Sequence, residues 1–181
     1  MNNSFLNPNE LKSLGLKSYG INVLISRKAS FYSPECISLG NNVRIDDFCI
    51  LSGNITIGSF VHISAYCALY GRHGIIMENY SGISPRCTIF SATDDFSGNY
   101  LIGPMVDESK TNVRGGLVTI KKYAQVGAGC IIMPELTINE GVAVGAMSLV
   151  NKNLEAWNIY AGIPARIIRK REKNLLDRID E

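Results

Sequence analysis

A six-residue period runs through most of this chain. In register it reads ISLGNN VRIDDF CILSGN ITIGSF VHISAY CALYGR, then His73 and Gly74 as extras, then IIMENY SGISPR CTIFSA, a long break, and VTIKKY AQVGAG CIIMPE LTINEG VAVGAM SLVNKN. The third place is apolar in every unit, from Leu39 and Ile45 to Val144 and Val150, and the first place holds small or branched apolar groups. Places one and three therefore share the inner side of a short strand, and a turn follows every sixth residue. An α-helix, with about 3.6 residues per turn, cannot produce a strict six. Gly, Asn, Asp and Ser recur at places four and five, which suits sharp corners. Three such units close one triangular coil, so residues eighteen apart, corrected for insertions, stack on one another. The fold class expected is all-β, a parallel β-helix with short N-terminal and C-terminal helices.

The totals agree with one soluble domain. The 181 residues are 46% hydrophobic and 19% charged, with a formal net charge of +2, too small for a nucleic-acid footprint. No apolar run approaches the roughly 20 residues that span a bilayer, so no membrane partner is expected. The start MNNSFLNPNE has neither a basic nor an apolar signal-peptide region, and a cytoplasmic location is the expectation. The five cysteines are odd in number and lack CxxC spacing, so free thiols are expected. Basic residues gather in ARIIRKREK, either a solvated face or a contact for a phosphorylated ligand.

Stacking has local consequences. Cys49, Cys67, Cys87 and Cys130 share the first place of one prism wall and form an interior ladder, too far apart to pair as disulfides. The outward places of the same wall hold Ile50, Ala68, Thr88, Ile131 and Leu149, so this wall is apolar on both sides and needs a cover, either a neighbouring subunit or the chain's own termini. The organisation expected is an N-terminal helical cap over 1–20, the β-helix over 21–153 with an excursion loop at 93–117, and a C-terminal tail and helix over 154–181. In the cap, Asn7, Pro8 and Glu10 read as N-cap, N1 and N3 of a short helix, with Gly15 beyond its end. In the tail, Leu175, Leu176 and Ile179 share a helical face.

The period stops at FSATDDFSGNY. An excursion from Thr93 to Leu117 is too long for a corner, and such loops carry function. The extra His73 and Gly74 enlarge the same corner one coil earlier, which puts Arg72 and His73 beneath the loop's base.

The units ITIGSF and VAVGAM, the loop, and the terminal YAGIPARIIRK resemble the hexapeptide-repeat acyltransferases over residues 20–171. Within that family NNVRIDDFCILSG, DDFSG, EGVAVGAMSLV and IYAGIPA are most similar to bacterial N-acetyltransferases acting on dTDP-4-amino-4,6-dideoxyglucose. The resemblance implies a left-handed β-helix, a homotrimer, acetyl-CoA in a groove between two prisms, and a nucleotide-sugar acceptor beside the loop. It implies CoA contacts at Ala128, Ala146, Lys152 and Arg166. Ala128 and Ala146 hold the same fifth place one coil apart, where small side chains allow main-chain bonds to pantetheine; Lys152 and Arg166 suit phosphates. Extending that track downward reaches Ser84, Ser64 and His62.

In family members that acetylate sugar hydroxyls a histidine at the loop's base is the general base, and Asp94 stands in its place here. A hydroxyl needs a base as it attacks, whereas a neutral amine is already nucleophilic. The departure therefore fits an amino-sugar acceptor, with Asp94 or Asp95 orienting the amine; neighbours in an extended segment face opposite ways, so one of the two faces the acceptor. The candidate catalytic residues are His62, Asp94 and Asp95. The reaction expected is transfer of acetyl from acetyl-CoA to the amine of a dTDP-linked amino-deoxysugar for surface polysaccharide synthesis, with no metal required. The alternatives are O-acetylation of a sugar hydroxyl with His62 as base, and a non-catalytic scaffold. A zinc site of the carbonic-anhydrase kind needs three histidines, and the chain has two.

Overall fold

The computed structural model describes residues 4–179; residues 1–3 and 180–181, at the outer ends of the two expected terminal segments, lie outside them. Short parallel strands stack in three walls. Wall A consists of Ser18–Tyr19, Ile37–Leu39, the ends of Ile50–Ile57 and Ala68–Met77, then Val118–Ile120 and Leu136–Ile138. Wall B stacks Leu24–Ile25, Arg44–Ile45, His62–Ile63, Gly82–Ile83, Gln125–Val126, Ala143–Val144 and Asn158–Ala161. Wall C stacks Ser30–Tyr32, the beginnings of Ile50–Ile57 and Ala68–Met77, then Thr88–Phe90, Ile131–Ile132 and Leu149–Val150. Stacked strands thus begin at Ser18 and continue to Ala161, beyond both ends of the segment 21–153.

The register follows the period. Arg44 lies beside His62 and Gln125 beside Ala143, eighteen residues apart; His62 lies beside Gly82, twenty apart, because His73 and Gly74 are absorbed between them. The third-place residues Ile45, Leu51, Ile63, Leu69, Ile89 and Ile120 fill the prism and are wholly buried. Each such side chain stabilises the fold by about 1.5–3 kcal/mol relative to exposure. Cys49, Cys67, Cys87 and Cys130 line the inside of wall C as free, buried thiols, the ladder expected from their shared place.

The corners work differently from the sequence reading. The left-handed backbone sits at place six and is adopted mostly by large residues, among them Phe60, Tyr66, Tyr80, Arg86, Tyr123 and Met147. Small residues at place four answer to lack of room: a Cβ on Gly127 would stand 2.6 Å from the Ala146 nitrogen on the next coil. Between walls A and B the place-six aromatics stack into a column, with ring centroids 4.7 Å apart for Phe60–Tyr80 and 5.6 Å for Tyr80–Tyr123.

Helix α1, Pro8–Ser13, has the expected capping box: the Asn7 side chain accepts from the Asn9 and Glu10 amides, and Glu10 accepts from the Asn7 amide. Its Leu11 joins the core, with Leu6, Leu14 and Leu16 packed behind, so α1 closes the lower end of the prism. At the other end Arg166–Lys170 turns back antiparallel on Asn158–Ala161. The C-terminal helix forms over Asn174–Arg178 as a 3-10 helix rather than an α-helix, and no side chain caps its start at Lys173. No helix among the described residues is long and apolar enough to cross a membrane.

Candidate active site

The excursion leaves from the corner between walls C and A. Its two ends are clasped by an antiparallel pair, Ala92 with Gly115 and Thr93 with Arg114. The His73 amide donates to the Ser91 hydroxyl at 2.8 Å, and Gly74 faces Leu117, so the insertion supports the loop's base as expected. The loop encloses a cavity of about 640 Å³ lined by Arg72, Thr93, Asp94, Glu108, Thr111 and Asn112, among others.

The two aspartates separate cleanly. Asp95 is 6% exposed and turned into the loop. Its carboxylate accepts from the Ser97 amide at 2.8 Å, the Asn112 side-chain amide at 2.7 Å and the Arg114 guanidinium at 2.8 Å. Hydrogen bonds from Ser97, then from Asn112, with the Arg114 charge behind them, hold its pKa down to about 2. Asp95 therefore anchors the loop across its width. Asp94 lines the cavity, half-buried, and no hydrogen bond or ion pair to its carboxylate is found among the described residues. Asn112, Arg114 and Gly115 were not singled out by sequence reasoning; the polar run TNVRGG closing the excursion was the signal for them.

A second set of features lies on the corner between walls B and C. Its rungs are Ser64–Ala65, Ser84–Pro85, Gly127–Ala128 and Gly145–Ala146. One bonding scheme repeats: the place-six amide donates to the place-five carbonyl of the coil below, as from Arg86 to Ala65, Gly129 to Pro85 and Met147 to Ala128, at 2.8–3.1 Å. The amides of Ala65, Ala128 and Ala146 donate to no group of the chain among the described residues. Ala128 and Ala146 are adjacent rungs, as expected. Arg166 pairs with Ala161, which stands over Gly145, so Arg166 crowns this corner. Lys152 does not join it. It follows Leu149–Val150 and lies exposed on the corner between walls C and A, on the side of Asp94 and Arg72.

His62 sits on wall B, its Nε2 2.8 Å from Asp46 Oδ2. Arg44 Nε binds the other Asp46 oxygen at 2.7 Å. Burial opposes ionisation of Asp46, but the bonds from Arg44 and His62 outweigh it and lower its pKa. The structure thus gives His62 a carboxylate partner and does not bring it to Asp94. Among the described residues no group of three or more His, Cys, Asp or Glu side chains could hold a metal ion.

No family model matches the chain. It is 43% identical to an Escherichia coli dTDP-4-amino-4,6-dideoxy-D-glucose acyltransferase, with 96% of this chain and 92% of that protein aligned. It is also similar to AntD, an N-acyltransferase from Bacillus cereus. With the S84C variant bound to dTDP-4-amino-4,6-dideoxyglucose and coenzyme A, the TM-score is 0.97 at 51% identity, covering 99% of this chain and 97% of that one. With AntD bound to dTDP and 3-hydroxybutyryl-CoA it is 0.96 at 52% identity, covering 98% and 95%. A hexapeptide-repeat acetyltransferase from Vibrio cholerae shares the fold alone, at TM-score 0.69 and 17% identity over 94% of this chain and 81% of that one. The fold these structures share with the chain is the left-handed β-helix.

Proposed function

Since the chain belongs to the dTDP-4-amino-4,6-dideoxy-D-glucose acyltransferases, we propose that it transfers acetyl from acetyl-CoA to the 4-amine of that nucleotide sugar for surface polysaccharide synthesis, with Asp94 receiving the amine. The observation that carries this assignment is the unpartnered Asp94 carboxylate on the cavity wall beside an aspartate fully committed to the fold. AntD has been crystallised as D94N and S84A variants, with dTDP or the dTDP-sugar and coenzyme A, and this chain carries Asp and Ser at the same numbers.

The carboxylate draws the ammonium form, orients it and takes one proton from it, which passes on to solvent, so that the neutral amine attacks the thioester carbonyl. Arg72, on the same cavity, supplies positive charge for the pyrophosphate. The corner of Ala128 and Ala146 presents free amides to pantetheine, and Arg166 above them meets the phosphates of CoA. At the level of Ser84 the fifth place is Pro85, which has no N–H, so the donor that this rung offers a tetrahedral oxyanion is the Ser84 hydroxyl. The intermediate collapses by breaking the C–S bond, and CoA leaves as the thiol once the thiolate takes up the second proton, shed by the nitrogen after attack.

Within one chain the two halves of this site are separated by wall C. Asp94, Arg72 and Lys152 occupy its A-side corner; Ser84, Ala128, Ala146 and Arg166 occupy its B-side corner. Wall C is apolar outward, with Ile131 43% exposed. A homotrimer with the three C walls around its axis brings the A-side corner of one copy onto the B-side corner of the next, covers the apolar wall and returns Lys152 to the CoA groove. Both proposed substrates carry phosphates, which supports a cytoplasmic location for the enzyme.

The test is turnover of dTDP-4-amino-4,6-dideoxyglucose with acetyl-CoA, followed by CoA thiol release and by the mass of the nucleotide-sugar product. Acetylation of hydroxyl-only sugars with none of the amino sugar would refute the N-acyl reading. A 3-hydroxybutyryl-CoA arm, prompted by the AntD complex, measures acyl preference.

A further inference from the structure

The thiol ladder touches the cofactor groove through its backbone. Each thiol donates upward, across one coil, to the place-four carbonyl of the B–C corner: Cys49 to Ser64 at 3.1 Å, Cys67 to Ser84 at 3.2 Å, Cys87 to Gly127 at 3.1 Å and Cys130 to Gly145 at 3.1 Å. A carbonyl oxygen has no proton to give, so sulfur is the donor in all four bonds. Ser148, stacked above Cys130, is a second donor to the same Gly145 carbonyl, its hydroxyl bonded there at 2.7 Å.

A trans peptide is planar, and its C=O and N–H point in opposite directions. A carbonyl held inward on a buried thiol therefore turns the next residue's N–H outward. Gly127 precedes Ala128 and Gly145 precedes Ala146, two of the three amides left without a partner among the described residues on the outer side of the corner. Among the described residues no other bond fixes the rotation of the Gly127–Ala128 plane, whereas on the Gly145–Ala146 plane the Ser148 hydroxyl shares the carbonyl with Cys130; the neighbouring bonds engage the Gly127 and Gly145 amides and the Ala128 carbonyl, all on adjacent planes.

We propose that Cys87 and Cys130 are positioning residues for acyl-CoA: their S–H bonds to the Gly127 and Gly145 carbonyls aim the Ala128 and Ala146 amides into the groove, where pantetheine carbonyls accept from them. The inference rests on the acyl-CoA reading above. A thiol chosen only to fill space would be replaceable by any small apolar group; a thiol that orients a peptide is replaceable by a hydroxyl and not by an alkyl group.

The experiment compares Cys87→Ala, Cys130→Ala, the double variant, and Cys87→Ser and Cys130→Ser with wild type in steady-state kinetics and CoA calorimetry. Cys49→Ala serves as the packing control, because its carbonyl partner Ser64 lies two coils below Gly127. Loss of one weak S–H···O bond predicts a rise in KM for acyl-CoA of about two- to fivefold for Cys87→Ala and a smaller rise for Cys130→Ala, where the Ser148 hydroxyl still holds the Gly145 carbonyl, the two multiplying in the double variant, with kcat within about twofold. The serine variants restore KM, and Cys49→Ala leaves KM for acyl-CoA unchanged while lowering the melting temperature like the others. If an alanine variant does not fold, Cys87→Val, which fills the site without a donor, replaces it and is expected to raise KM likewise. Wild-type binding of CoA with an unchanged KM in the donor-less variants overturns the positioning role alone. Failure of the wild type to bind CoA overturns the acyl-CoA reading and the positioning role with it.

Discussion

Gly115 is the residue on which the excursion loop closes, and replacing it with alanine tests how the cavity is built. A Cβ at this position would lie 2.2 Å from the Ser91 carbonyl oxygen, 2.7 Å from the Ala92 Cα and 3.0 Å from the Ser91 carbonyl carbon. All three are backbone atoms, so no side-chain rotation relieves the overlap. Ordinary contact begins near 3.4 Å, and the strand of Ala92–Thr93 must retreat by roughly 1 Å. The native φ of +154° adds strain for any L side chain, of about 1–3 kcal/mol. Thr93 pairs with Arg114 in the same clasp and is followed directly by Asp94, so the displacement passes to the carboxylate. A misplacement of about 1 Å at a reacting group costs on the order of 100-fold in rate. Gly115→Ala is therefore expected to lower kcat/KM for the amino sugar by about 100-fold. Acyl-CoA affinity should stay within about threefold, since the alanine corner lies across wall C, and the melting temperature should fall by only a few degrees, because the prism core is untouched. Thiol-release kinetics, CoA calorimetry and a thermal melt measure the three. A variant with wild-type kcat/KM, and with hydrogen exchange showing the Ala92–Gly115 clasp intact, would refute the steric account.

Four further outcomes follow from the same geometry. Asp94→Asn keeps the shape of a side chain on which no fold contact depends, so kcat should drop by about 10²–10⁴ with no change in melting temperature; a large stability loss would mean that the carboxylate supports the loop. Asp95→Asn should act on the loop instead, leaving the prism's melt nearly unchanged while exposing the loop to proteolysis. Because the folded pKa of Asp95 is depressed to about 2 from an ordinary 3.8, its anchoring is complete above the ordinary value and is lost as pH falls through about 2; wild-type loop proteolysis by an acid protease should rise across that window and not above it. Arg72→Ala should raise KM for the dTDP-sugar by about 10-fold or more, the effect of losing a charge-assisted bond, and leave KM for acyl-CoA alone; equal changes in both would remove Arg72 from the acceptor side.

The six-residue period determined a great deal by itself. Backbone bonding between coils repeats with the same spacing as the side-chain pattern, so the inward rows, the thiol ladder, the stacking of Ala128 on Ala146 and the position of the break were all legible by counting. The capping box at Asn7 and Glu10 was equally local. Counting gave no rule for the excursion, whose contacts have no shared period: Asp95 meets Asn112, seventeen residues on, and only that closure turns one aspartate into an anchor and leaves its neighbour facing the cavity. The family resemblance grouped Lys152 with Arg166 as phosphate contacts, and the folded chain sets them on opposite edges of wall C, so within one chain they do not meet. A linear pattern specifies which residues stack within a prism; which corners meet depends on surfaces that the pattern leaves pointing outward, and only the three-dimensional arrangement shows where those lie.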